Sequence, residues 1–437
     1  MRLGGRLSAA IAVLGDFEAR RAPLKTCLAD WARGARYAGA KDRAFISGLC
    51  LDVLRRRSSL SLVVCEGEAA PRGLVLAAIA GLWRVDLAEL EEACRDEHGP
   101  GALTDDERVR LAGAASAIDA SSALDAPEWC ASQLRRAFGE ATGEEARALS
   151  ARADIDLRIN SLKSTPAKAL AALKSVKGTA LPVLTTAARI AAPDPSEKAP
   201  AITVIPAFNK GWVEVQDLGS QIASAAAGNV TGAQVLDYCA GSGGKTLALA
   251  ALMGNKGQLY AYDIDARRLA PAFHRAARAG VRNLQIRSPA EGAGLEDLVG
   301  RMDVVFVDAP CTGSGTWRRH PDAKWRLTER QFASRIEEQD QVLAAAAGYV
   351  RPGGRLVYVT CSVFLEENDD RVEAFLGREV GFARAPALEA VAASGILTAD
   401  GREALSACET SAGDLRLTPA RIGSDGFYVS VLARRSS

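Results

Sequence analysis

The chain has 437 residues, enough for two to four domains, and its apolar content of 48% allows a sizeable core. Its net charge of +1 excludes a global electrostatic attraction to any polyanion, so a nucleic-acid surface has to be built from local patches. Nine scattered cysteines, three histidines and no CxxC pair exclude a disulfide framework and a structural zinc site, and point to a reducing compartment. With no apolar run of membrane-spanning length and no secretory layout at the N-terminus, the chain reads as soluble, cytoplasmic, monomeric, and without a membrane or metal partner.

Residues 1–145 read as a helical domain. Phe45, Ile46, Leu49, Val53 and Leu54 repeat at helical spacing and lead into Arg55-Arg56-Arg57, and Pro127-Glu128-Trp129 reads as a helix start. Residues 146–210 read as a small α+β linker or RNA-binding domain. It has an alternating strand over 156–160, a short helix over 167–173, and a stretch broken by Pro182, Pro193, Pro195 and Pro200. From 211 to 437 the chain alternates apolar runs at 234–237, 258–263, 284–287, 303–308 and 355–360 with helical patterns at 246–253, 266–279 and 331–349. That alternation predicts an α/β domain with a mostly parallel, Rossmann-like sheet. Runs at 414–417 and 426–432 predict a closing antiparallel edge hairpin.

The first of these strands feeds Cys239-Ala240-Gly241-Ser242-Gly243-Gly244-Lys245-Thr246. Glycine there lets the backbone turn tightly and approach a ligand. A Walker A loop needs glycine where Cys239 stands, and a dinucleotide fingerprint needs one where Thr246 stands. The remaining reading is a loop wrapped around the methionine part of S-adenosylmethionine (SAM). Asp237 would lie near the amino acid moiety and Asp263 on the ribose hydroxyls. Asp265 competes with Asp263, because it can equally cap the next helix.

Two cysteines follow strand-like runs about fifty residues apart, in Asp308-Ala-Pro-Cys311 and in Thr360-Cys361-Ser362. Strand ends of an open parallel sheet emerge on one side, so both thiols can serve one site. The other cysteines, Cys27, Cys50, Cys65, Cys94, Cys130 and Cys408, read as small apolar core residues. A thiol pair, SAM and an acid suit methylation of carbon 5 of cytosine. A thiolate adding to carbon 6 makes carbon 5 nucleophilic, splitting a hard step into easier ones. Asp308 is placed to bond the ring as charge develops. Spacing alone does not rank the thiols.

These segments, with Arg318-Arg-His-Pro-Asp322, Glu366-Glu-Asn368, Val215-Gln-Asp217 and Asp425-Gly-Phe-Tyr428, resemble the NOL1/NOP2/Sun RNA cytosine-5 methyltransferases. Lys41-Asp-Arg-Ala-Phe-Ile46 with Arg55-Arg56 resembles the helical NusB-like RNA-binding domain of the bacterial small-subunit (16S) ribosomal RNA branch. The resemblance implies Cys361 as nucleophile, Cys311 as the residue assisting release, and Asp308 as the group holding the cytosine. It implies SAM binding by residues 239–245, Asp263 and Arg268. A DNA-type enzyme would instead use the Pro-Cys thiol, Cys311. Two positions depart from the family pattern. Ser242 replaces a proline, and Arg287-Ser288-Pro289-Ala290 replaces an Asp near the adenine amino group. Ser288 is then the acceptor in that place, with Glu291 as a substitute. Loss of the contact would cost about 1–3 kcal/mol.

Arg318, Arg319, His320 and Lys324, with Trp317 and Trp325, read as an RNA contact of phosphate-binding cations and stacking rings. Arg55-Arg56-Arg57 reads either as RNA contact or as a helix end that favours positive charge. Two readings from other classes remain: an RNA-binding assembly factor without activity, and a nucleotide hydrolase using Gly244-Lys245-Thr246.

Overall fold

The computed structural model describes residues 1–64, 70–194, 197, 200–289 and 294–436. Cys65, Pro195 and Glu291 lie outside the described residues. The chain divides into two compact units. One comprises Met1–Arg152, Ala192–Ala199 and Trp317–Thr328; the other comprises Ala153–Ala191, Pro200–Thr316 and Glu329–Ser437.

The first unit is helical, with helices at Leu3–Arg20, Leu24–Gly34, Ala40–Arg55, Arg57–Val64 and Pro71–Ala77 among others. The helical spacing of residues 45–54 has its cause in the core: Phe45, Ile46, Leu49, Val53 and Leu54 are buried against Leu7, Val13, Phe17 and Val75. A helix leaves its last carbonyls without intrahelical partners. At the end of Ala40–Arg55 these are met from far along the sequence. Trp325 Nε1 donates to Leu54 O at 2.6 Å, and Lys324 Nζ donates to Arg55 O at 3.0 Å.

The second unit holds two sheets. The smaller is built from β1 (Ile155–Ile159), β2 (Thr179–Ala180), β3 (Ala187–Ile190) and β4 (Val213–Val215), in the antiparallel order β2-β3-β1-β4. Its core is Leu157, Ile159, Ala169, Leu173, Ala188, Ile190 and Val213. β4 carries this sheet beyond the 146–210 span expected for the small domain.

The larger sheet contains β5 (Gln234–Asp237), β6 (Gln258–Tyr262), β7 (Leu284–Arg287), β8 (Met302–Asp308), β9 (Val350–Thr360), β10 (Phe382–Ala385), β11 (Leu415–Leu417) and β12 (Phe427–Arg434). The order is β10-β12-β9-β8-β5-β6-β7, with β11 on β12. β5 to β9 pair in parallel; β12 runs antiparallel to β9 and to β10. β11 and β12 pair as expected. However, β12 lies inside the sheet and the edge belongs to β10, whose four residues are too few to show a period. The order reverses at β5, and ligands of open α/β sheets bind in the crevice beyond the strand ends at such a point. Among the described residues no helix is long and apolar enough to cross a membrane.

Candidate active site at the strand ends

β8 and β9 are adjacent and parallel, with Asp308 opposite Val359. Cys311 and Cys361 lie three and two residues beyond that pair, which brings Sγ to Sγ at 3.4 Å. Both cysteines are half-buried residues. Several bonds hold the loops that carry them. Gly315 N donates to Cys361 O at 2.9 Å, and Gly426 N donates to Gly315 O at 2.8 Å. A Cβ on Gly315 would stand 2.2 Å from Gly426 O, so only glycine fits. The Ser314 and Ser362 hydroxyls are 2.9 Å apart, and Asn368 Nδ2 donates to Ser362 O at 3.0 Å.

One buried carboxyl joins the two loops. Glu367 accepts from Thr312 N at 2.8 Å, Thr312 Oγ1 at 2.6 Å and Gln339 Nε2 at 3.1 Å. Gln339 Nε2 also donates to Pro310 O at 2.9 Å. Burial pushes the Glu367 carboxyl above its ordinary range, against the bonds that favour its charge. The hydrogen bond to Cys361, and then burial, push the Cys311 thiol well above the ordinary thiol range. Beside them Lys245 Nζ donates to Asp308 Oδ2 at 2.6 Å and lies 5.2 Å from the centre of the Phe427 ring. Burial would lower the Lys245 pKa, but the Asp308 carboxylate outweighs it and keeps the ammonium charged.

The glycine turn after β5 has Gly241 and Gly243 at φ 50° and 83°, in the left-handed region. Gly241 N donates to Asp263 Oδ2 at 2.9 Å, while Asp265 accepts from Arg267 N at 2.9 Å and caps the helix Ala266–Ala279. The two acids therefore divide the work, Asp263 on the loop and Asp265 on the helix. Arg268 is mostly exposed, 3.9 Å from Asp263. Ser242, at the proline position, is pinned by Arg275 Nη1, which donates to its carbonyl and to its hydroxyl at 2.9 and 3.0 Å. Burial pushes the Cys239 thiol up. Asp237 accepts from Thr246 Oγ1 at 2.6 Å, and burial pushes its carboxyl up to about 7.

Two buried polar atoms test whether this cradle fits SAM. Among the described residues Asp237 Oδ1, at the end of β5, has no hydrogen-bond partner, and neither has Ser288 Oγ just after β7. Ser288 is 4% exposed and Asp237 0%. Orphaned buried atoms are costly, and native structures keep few of them. A ligand with a cation at one end and an amino donor at the other satisfies both, so the residues fit.

A family model described as 16S rRNA methyltransferase RsmB/F matches residues 228–433. The chain is 30% identical over 422 residues to ribosomal RNA small subunit methyltransferase B of Klebsiella pneumoniae, covering 90% of this chain and 91% of that protein. The chain belongs to this family. Among solved structures, the crystal structure of PH0851 covers 99% of both chains at a TM-score of 0.71 and 24% identity. NSun6 from Pyrococcus horikoshii with SFG covers 71% of this chain and 99% of its own, at a TM-score of 0.59 and 20% identity. These two share the fold.

As an RsmB-family rRNA methyltransferase, the chain needs an RNA surface, and the structure corrects part of the expected one. Lys324 is 1% exposed. Its ammonium is held by Arg55 O and lies 6.0 and 5.4 Å from the Trp317 and Trp325 ring centres, and burial pulls its pKa down to about 7. It is a structural lysine of the helical unit, not a phosphate contact. Arg318 is also buried, and its carbonyl accepts from Arg55 Nε at 2.9 Å. Arg319 is half-buried and His320 is exposed. The basic run is used inside the same unit: Arg55 pairs with Asp52, Arg56 with Asp125 and Arg57 with Glu18. Glu367 and Gln339 were missed as site residues. Nothing local in Glu366-Glu367 tells which carboxyl turns inward.

Proposed function

We propose that this enzyme transfers a methyl group from SAM to carbon 5 of a cytosine in 16S rRNA through a covalent adduct to Cys361. The observation that carries the reading is the thiol pair at 3.4 Å beside the Lys245–Asp308 pair. When bound, SAM supplies the electrophilic methyl group. Asp237, residues 239–245, Asp263, Arg268 and Ser288 would hold it.

The hydrogen bond to Cys361 and burial raise the Cys311 pKa, which keeps a proton on that thiol. The Cys361 thiolate bonds to carbon 6, and the ring electrons move toward carbon 5, which takes the methyl group. Asp308 and the Lys245 ammonium present an acceptor and a donor to the polar edge of the ring. A base takes the carbon 5 proton, the C–H electrons re-form the ring double bond and Cys361 leaves carbon 6 as a thiolate, a release that Cys311 assists.

Incubation with SAM and 16S rRNA should give 5-methylcytosine, located by bisulfite mapping. Cys361→Ala should abolish the product, and Cys311→Ala should accumulate a protein–RNA adduct. An adduct with Cys361→Ala and none with Cys311→Ala would reverse the two roles.

A further inference from the structure

The small sheet's domain has a charge pattern that the thiol site does not use. Residues 161–191 and 200–213 contain no Asp or Glu but carry Lys163, Lys168, Lys174, Lys177 and Lys210. All five lysines are exposed. Of the acids nearest in sequence, Glu214 is engaged with Arg275 and Arg278, and Asp154 and Asp156 with Arg189, whereas Asp194 and Glu197, between the two stretches, belong to the other unit. These two stretches of a chain of net charge +1 therefore carry cations without acids of their own.

Two of them are set on one ring. Lys168 Nζ and Lys210 Nζ lie 4.2 and 4.9 Å from the centre of the Trp212 indole. Lys168 comes from the helix Pro166–Leu173, whereas Lys210 follows the turn Pro206–Asn209, so tertiary structure brings them together. Each ammonium gains from the ring face. The two also repel each other, and an anion between them would relieve that repulsion. Further exposed lysines in the same domain fit a repeating anion better than a single small one.

We propose that the Lys168–Trp212–Lys210 face is a phosphate clamp for the backbone of the substrate rRNA, outside the nucleotide being methylated. The proposal rests on the reading of 16S rRNA as substrate. It commits to the RNA backbone because what the pair offers is positive charge.

The test is binding of the full chain to 16S rRNA by filter retention across a salt series, with kinetics on the same RNA. Neutralising both lysines, Lys168→Gln with Lys210→Gln, should lower the slope of log affinity against log salt by about two, one for each lost phosphate contact. KM for RNA should rise while kcat at saturating RNA stays unchanged. Lys168→Arg with Lys210→Arg should restore both. A glutamine variant with the wild-type slope and affinity overturns the clamp, and so does failure of the arginine pair to rescue. If the wild-type chain itself does not bind 16S rRNA, the substrate reading falls first.

Discussion

Asp237 is an acid with one oxygen satisfied by Thr246 and the other without a hydrogen-bond partner among the described residues. With its pKa pushed up to about 7, it is largely protonated below neutrality, whereas a cationic ligand group needs the carboxylate. The sign follows: SAM affinity should rise with pH and level off above about 7, and binding below that pH should release a proton. Calorimetry in buffers of different ionisation enthalpy reads this directly. Asp237→Asn should flatten the dependence and weaken binding roughly tenfold to a hundredfold, the worth of a hydrogen bond to a charged group. Ser288 supports a second prediction. If its orphaned hydroxyl accepts from the adenine amino group, Ser288→Ala should weaken SAM binding by about 1 kcal/mol. Ser288→Asp, which restores the family residue, should tighten it. Equal affinities for all three would remove Ser288 from the site.

The thiol loops depend on geometry supplied by other elements. Glu367 joins the loop after β8 to the segment after β9, and Gln339 adds the helix Glu329–Ala347. Glu367→Gln keeps the shape but loses one of the acceptors facing Thr312. The fold should survive, and kcat should fall roughly tenfold to a hundredfold with little change in KM, as expected when reacting groups shift by a fraction of an ångström. Equal losses in kcat and in unfolding midpoint would make the role structural. These elements differ in how legible they are. β5, β8 and the second half of β9 announce themselves as apolar runs because strands buried on both faces are apolar throughout, while β6 and β7 show as shorter runs between helical patterns. That legibility also placed both cysteines and the glycine turn at one edge. β2 and β10 are too short for a period, and β4 was masked by the loop-rich stretch before it. Glu367 was seen only as part of a motif. Its role comes from the pairing of β8 with β9, which sets two segments 55 residues apart against each other.

At the scale of the whole molecule, the segment Trp317–Thr328 directly follows the first thiol loop in sequence, yet it belongs to the helical unit. Nothing in its composition shows this. A cluster of Arg, Lys and Trp reads as an RNA contact, and only the tertiary structure shows that the open carbonyls of the helix Ala40–Arg55 claim Trp325 and Lys324. Asp322 Oδ2 likewise accepts from Leu24 N at 3.2 Å, and Trp325 packs on the helical core. The helical unit is therefore incomplete when cut at Arg152. A fragment of residues 1–152 would lose the Trp325 packing, where large-to-small truncations of this kind cost about 3–5 kcal/mol, and its exposed helix end would turn to water. Its urea midpoint should fall below that of the same unit in the full chain. Amides of Ala40–Arg55 should exchange faster, and a peptide spanning 317–328 added in excess should slow them again. Trp325→Ala in the full chain should reproduce the faster exchange in that helix while leaving β8 and β9 protected. If the fragment matches the full chain in midpoint and exchange, the segment only rests on the helices. If it does not, the helical unit is completed by the stretch of chain that continues from the thiol loop.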